Sequence, residues 1–211
     1  MSRLIHEMPR RLRDCDGFRF FLHWLRRPGK VGAVVPSGSA LAAALAAEID
    51  TEAPGAVVEL GPGTGRVTRA LLEAGVEPSR LVAIEREASF CKLLRARFPA
   101  VRIVSGKARA LEALLQQVGV GPVKAVVSSL PLLSMTREHR SAVLSQIAAV
   151  IGAEGILVHY TYGMAAPVPP DLGAELGVIG ERTNWVLANL PPAAVWRYRR
   201  ISLVPVLARA A

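Results

Sequence analysis

Two carboxylates and a run of glycines carry the clearest chemical signal in this chain. Glu59 stands just before Gly61-Pro62-Gly63-Thr64-Gly65, and Glu85 lies about 20 residues beyond that loop. Glycines let a backbone approach a ligand closely, and here they follow an apolar run, Ala56-Val57-Val58-Glu59-Leu60, that reads as a buried strand. Glu85 closes a second such run, where a carboxylate can accept from both hydroxyls of a ribose. Glu59 decides what else the nucleotide carries. Dinucleotide sites hold a pyrophosphate at this turn, and an acid beside the glycines repels it. The same acid attracts an ammonium. An adenosine with an ammonium tail and no phosphate is the form of S-adenosylmethionine, and a nicotinamide dinucleotide is the competing reading.

The elements that must position these residues follow from the hydrophobic pattern. Strand-like runs at 56–60, 80–85, 101–104, 123–128 and 155–160 alternate with helical segments at 67–74, 88–97 and 137–151. Apolar strands alternating with helices predict an α/β fold, a mostly parallel sheet with helices on both faces. Two further runs, 180–188 and 195–206, flank Leu190-Pro191-Pro192 and predict an antiparallel hairpin at the sheet edge. Residues 1–50 read as a helical extension serving as lid, and 51–211 as the nucleoside-binding domain.

The glycine loop with its two acids resembles the class I methyltransferases, whose Rossmann-like domain carries Glu/Asp-x-Gly-x-Gly-x-Gly and an acid ending the second strand. That resemblance runs from about Ala56 to Tyr160. It implies that Ser37, Glu59, Gly61, Pro62, Gly63, Thr64, Gly65, Glu85, Arg86, Gly106, Lys107, Ala108 and Ser128 line the S-adenosylmethionine site. Lys107 departs from the pattern, because an acid is common there. A charged lysine only donates and cannot accept from the adenine amino group.

The methyl acceptor is sought after the fourth strand, at Ser128-Ser129-Leu130-Pro131-Leu132-Leu133. Adenine N6-methyltransferases carry Asn/Asp-Pro-Pro-aromatic or Asn-Leu-Pro-aromatic there, so that an amide or acid accepts from the base and the aromatic stacks on it. Here Ser129 replaces the amide and Leu132 the aromatic. The chain is instead similar to the bacterial phospholipid N-methyltransferases, which convert phosphatidylethanolamine towards phosphatidylcholine. The resemblance rests on Pro28-Gly29-Lys30-Val31-Gly32-Ala33-Val34-Val35-Pro36-Ser37, the Ser128–Leu133 tract, Tyr160-Thr161-Tyr162-Gly163 and Asn189-Leu190-Pro191-Pro192-Ala193, with Val195-Trp196-Arg197-Tyr198-Arg199 behind it. It implies Ser129 and Tyr162 at the reacting centre; Tyr160 lies beside them beyond the fifth strand, and Arg197, Arg199 and Arg200 are candidates for the lipid phosphate, with a solvated strand face as the alternative. His159 is the one histidine near that centre.

Composition agrees with a phosphate-bearing surface as partner. The net charge is +9, and only four of the 26 basic residues are lysines. Arginine's planar fork suits phosphate oxygens. At 100° per residue, Phe18, Phe20, Phe21, Leu22, Trp24 and Leu25 share one arc and Arg19, His23, Arg26 and Arg27 the other. That is an amphipathic interfacial helix, with Phe18, Phe21 and Trp24 facing lipid. Two isolated cysteines, no signal peptide and no sufficiently long apolar stretch suggest a cytoplasmic protein, peripheral on the inner face of the membrane. No metal site is expected. The competing acceptors are a nucleic-acid adenine, ornithine lipid or a small amine, and a binding module without turnover is the remaining class.

Overall fold

The computed structural model describes residues 38–162, 164–189 and 191–201. Helix α1 (Ser39–Ala46) leads into β1 (Ala56–Leu60), α2 (Arg66–Glu73), β2 (Leu81–Glu85), α3 (Ala88–Arg97) and β3 (Arg102–Ser105). Then come α4 (Leu111–Gln117), β4 (Val123–Ser128), α5 (Arg137–Val150), β5 (Ile151–Thr161), α6 (Pro170–Glu175), β6 (Val178–Val186) and β7 (Ala193–Arg200). The strands form one seven-stranded sheet in the order β3-β2-β1-β4-β5-β7-β6. The first five run parallel to one another, while β7 runs antiparallel to both β5 and β6.

Period-2 alternation sorts the strand residues between two cores. Val57, Leu81, Ala83, Ala125, Val127 and Val158 face α1, α2 and α3, burying Leu41, Leu45, Leu71 and Leu94. Val58, Leu60, Val82, Ile84, Val126 and Leu157 face the other way, against Leu111 and Leu115 of α4 and Val143, Leu144 and Ile147 of α5. Helices therefore cover both faces, as the alternation predicted, and the carboxyl ends of β1, β2, β4 and β5 open on one edge.

Several boundaries differ from the sequence expectation. Ser39–Ala46, read as part of the N-terminal extension, buries Leu41, Ala42, Leu45 and Ala46 in the first core. Helices α4 and α6 were not foreseen; both are under eight residues, too short to show a period. Strand β5 starts at Ile151, directly where α5 stops. The hairpin forms as expected, with strands at 178–186 and 193–200. Ser37, Phe18, Phe21, Trp24 and the proposed interfacial helix lie outside the described residues.

The hairpin is held by a close fit. A Cβ on Gly180 would sit 2.1 Å from Tyr198 Cε1. That ring cannot swing away, because it is buried and its hydroxyl accepts from Val168 N at 3.3 Å. Gly180→Ala is therefore expected to cost about 1–3 kcal/mol by overpacking, read as a lower thermal midpoint. An unchanged midpoint would show that the edge strand is free to slide off the ring.

Candidate functional site

The glycine loop joins β1 to α2 at the carboxyl edge. Gly61, Gly63 and Gly65 all adopt positive φ, at 72°, 55° and 83°. Only glycine takes that conformation without steric cost. A Cβ on Gly65 would strike Phe98 at 2.4 Å, so this glycine lets α3 pack against the loop. Beside Gly63 nothing lies within 4 Å of the corresponding position. One flank of the loop packs; the other is open to a ligand.

Glu85 is held ready at that open flank. One carboxylate oxygen accepts from Gly63 N at 3.1 Å, the other from Glu87 N at 3.0 Å. Each oxygen keeps a second lone pair, so the carboxylate can still take two hydroxyl donors. Its neighbour Arg86 is exposed and pairs with Glu87 at 3.5 Å. Beyond β3, Gly106 N donates to Glu85 O at 2.9 Å, Lys107 is exposed and Ala108 is half-buried.

Glu59 is more unusual. It is fully buried, and one oxygen accepts from Thr68 Oγ1 at 2.6 Å. The other, Oε1, has no partner. Burial is the main cause that pushes its pKa up to about 7. A buried carboxyl with an unused oxygen beside an open glycine loop can receive an ammonium, which would settle its charge. Thr68 escaped the sequence reading; a hydroxyl on the buried face of α2 was its only signal.

The acceptor side lies at the ends of β4 and β5. Ser129 N donates to Leu60 O at 2.9 Å, which ties this segment to β1, while Ser129 Oγ is buried with no partner. Ser128 is buried, and its hydroxyl accepts from Leu130 N at 3.4 Å. Tyr160 and Tyr162 are half-buried against the first core, with ring centroids 5.4 Å apart and planes at 76°. His159 stacks on Tyr160, with ring centroids 5.8 Å apart and planes at 18°. Its Nδ1 lies 2.9 Å from Ser128 O, and a carbonyl only accepts, so Nδ1 carries the proton. Burial pushes its pKa down to about 4, which keeps the ring neutral.

Not every expected residue reaches this edge. Arg197 pairs with Glu48 at 3.4 Å and with Glu181 at 2.8 Å, and Arg199 pairs with Glu181 at 2.7 Å. Arg197 is level with Val158 and Arg199 with Ile156, well short of Thr161 at the open end. Glu181 joins β6 to β7 through both arginines, and Glu48 ties Arg197 to the segment after α1. Conversely, the buried Asn189 joins two distant segments. Its Oδ1 accepts from Gly38 N at 2.7 Å and its Nδ2 donates to Pro191 O at 2.6 Å, which pins the start of α1 to the β6–β7 turn.

Comparison with known proteins places this geometry. Residues 57–155 match the family described as "Methyltransferase domain". The chain is 30% identical over 191 residues to the ornithine lipid N-methyltransferase of Singulisphaera acidiphila, covering 88% of this chain and 97% of that protein. It is 40% identical over 92 residues to ribosomal RNA small subunit methyltransferase A of a Synechococcus species, but this covers only 42% of the chain and 29% of that protein. Among solved structures, magnesium protoporphyrin IX methyltransferase from Synechocystis with bound S-adenosylmethionine superposes with a TM-score of 0.58 at 15% identity, covering 88% of this chain and 92% of that one. A Burkholderia thailandensis 1,6-didemethyltoxoflavin-N1-methyltransferase with bound S-adenosylhomocysteine also gives a TM-score of 0.58, at 19% identity, covering 88% and 86%. The last two likenesses concern the fold.

Proposed function

Because the chain belongs to the class I S-adenosylmethionine-dependent methyltransferases, we propose that it methylates the amine of a membrane lipid head group, phosphatidylethanolamine in the first instance. One observation carries the lipid reading. Similarity to a lipid N-methyltransferase extends over 88% of the chain and nearly all of that relative, whereas similarity to the ribosomal RNA enzymes stops at 42%. The ornithine lipid named for that relative is the second acceptor, favoured by the same alignment. Both lipids offer a primary amine near an anionic group. An adenine acceptor is disfavoured at Leu132, which is 0% exposed and has no face on which a base could stack.

The residues present fit the cofactor. Open space beside Gly63 admits the nucleoside, Glu85 takes the ribose hydroxyls and the unpartnered Oε1 of Glu59 takes the ammonium of the tail. S-adenosylmethionine supplies, when bound, a methyl group made electrophilic by its sulfonium. Displacement at that carbon needs alignment above all, so the chain's task is to hold the amine in line. The edge-to-face pair Tyr160 and Tyr162 would receive the acceptor as an ammonium on its rings. Once that ammonium has given a proton to water at the open edge, Ser129 Oγ, buried and unpaired, would accept one remaining N–H and turn the freed lone pair towards the methyl. His159 is neutral and its Nδ1–H is engaged by Ser128 O, so it steadies the segment that carries Ser129. Among the described residues no helix is long and apolar enough to cross a membrane, and the protein reaches its lipid from the inner surface.

The test is incubation with methyl-labelled S-adenosylmethionine and, in parallel, phosphatidylethanolamine, ornithine lipid and ribosomal RNA, followed by chromatography. Label is expected in a lipid product. Label confined to RNA would overturn the reading. Within the lipid arm, Tyr162→Ala is expected to lower turnover by about 2–30-fold, the range of a cation–π contact, with cofactor affinity within about twofold. Wild-type turnover in that variant would remove Tyr162 from the site.

A further inference from the structure

Exposed large apolar side chains are unevenly placed on this molecule. Leu133 is 42% exposed after β4, Met164 is 58% exposed after β5, and Leu187, at the β6–β7 turn, is 76% exposed. Strands β4, β5, β7 and β6 are consecutive in the sheet, and β7 begins opposite Thr161, so all three residues crown the same carboxyl edge. That half of the edge also carries Ser129, Tyr160 and Tyr162. Over β1, β2 and β3 the same edge carries Arg66, Arg86, Lys107 and Arg109, all exposed. Of these four, Arg86 has an ion pair with Glu87, and the other three form none among the described residues. Ile179 and Ile201 are exposed as well, but they lie at the opposite end of the hairpin, where Ile201 N meets Gly177 O.

Scattered exposed apolar side chains are ordinary; three at the edge that carries the acceptor residues are not. Apolar residues beside a basic arc match the layering of an anionic bilayer, with acyl chains below and phosphates at the surface. We propose that this carboxyl edge lies on an anionic phospholipid surface, with Leu133, Met164 and Leu187 entering the acyl boundary and Arg66, Arg86, Lys107 and Arg109 meeting head-group phosphates. The lipid amine then rises directly into the mouth beside Ser129 without leaving the membrane. This rests on the lipid-acceptor reading, since a soluble acceptor needs no such face. It also gives the charge of this half of the edge a use that Arg197 and Arg199, tied to Glu181, do not share.

The experiment uses the full chain with Cys15→Ser and one new thiol, either Leu187→Cys or Ile179→Cys, labelled with an environment-sensitive fluorophore; the remaining Cys91 is buried. The probe is vesicles of equal parts phosphatidylcholine and phosphatidylglycerol. A blue shift with protection from an aqueous quencher is expected at position 187 and not at 179. A label at 187 that stays as wet as that at 179 overturns the proposal, as does a shift produced by RNA but not by vesicles. A second measurement uses Met164→Ser and Leu187→Ser together. The double variant is expected to lose at least about tenfold in methyl transfer to vesicle lipid, the loss of roughly one side chain's burial, with its rate on lipid in detergent micelles unchanged. A retained vesicle rate overturns the proposal and leaves the acceptor reading standing. Absence of transfer by the wild type to lipid in either form sinks the acceptor reading and, with it, this face.

Discussion

Glu85→Ala is expected to weaken S-adenosylmethionine binding by roughly 100-fold or more in calorimetric titration. The carboxylate is oriented by Gly63 N and Glu87 N, and it has two lone pairs left for the ribose hydroxyls. Hydrogen bonds to a charged group contribute about 1.5–3 kcal/mol each, and two of them exceed two decades in affinity. Losing the two backbone contacts to the same carboxylate is also expected to lower the thermal midpoint of the unliganded protein. Glu85→Gln separates the two effects, since it keeps the shape and one acceptor while losing the charge. It is expected to bind with intermediate affinity. Unchanged affinity in Glu85→Ala would place the nucleoside away from the end of β2 and dismantle the cradle described above.

Glu59→Gln is expected to move stability and binding in opposite directions. Burial raises the Glu59 pKa from 4.5 to about 7. Below 4.5 the acid is neutral in both folded and unfolded chains and nothing is lost. Between 4.5 and 7 the unfolded chain ionises first, so stability falls as pH rises through the folded value. Above it the full penalty applies, about 3 kcal/mol from the size of the shift. Glutamine can keep the bond from Thr68 and cannot ionise. The variant should therefore melt higher than the wild type at pH 8, with no gain at pH 4.5. Cofactor affinity should fall by about tenfold or more, because the ammonium loses its carboxylate. A variant that is less stable at pH 8 would mean that Glu59 is already matched by a charge in the unliganded protein. This is a site in which function sets a cost that folding alone would not choose.

Much of this was legible in the sequence, for a physical reason. Buried parallel strands read as continuous apolar runs, so β1, β2 and β4 stand out, and the glycines mark the one turn where backbone meets ligand. Glu59 and Glu85 are conspicuous because an acid at the end of such a run must have a use. What escaped was set by contacts between distant segments. Thr68 became the partner of Glu59 only when α2 packed on β1. Asn189 meets Gly38 across 151 positions. Arg197 and Arg199, candidates for a phosphate on the sequence alone, face Glu181 through cross-strand register, which sets it directly opposite Arg197 and pairs both arginines with it. Charge along one strand does not reveal what faces it on the next. The apolar crown of Leu133, Met164 and Leu187 is likewise invisible in sequence, because three loops far apart in the chain meet only at the sheet edge.

The account depends most on Glu59 giving up its proton to receive the ammonium of the cofactor. Titration calorimetry at pH 6, repeated in buffers of different ionisation enthalpy, measures that proton directly. The expected result is release of close to one proton per S-adenosylmethionine bound, since a group with a pKa of about 7 is mostly neutral at that pH, and loss of that release in Glu59→Gln. Binding of the wild type at pH 6 with no proton released would contradict it.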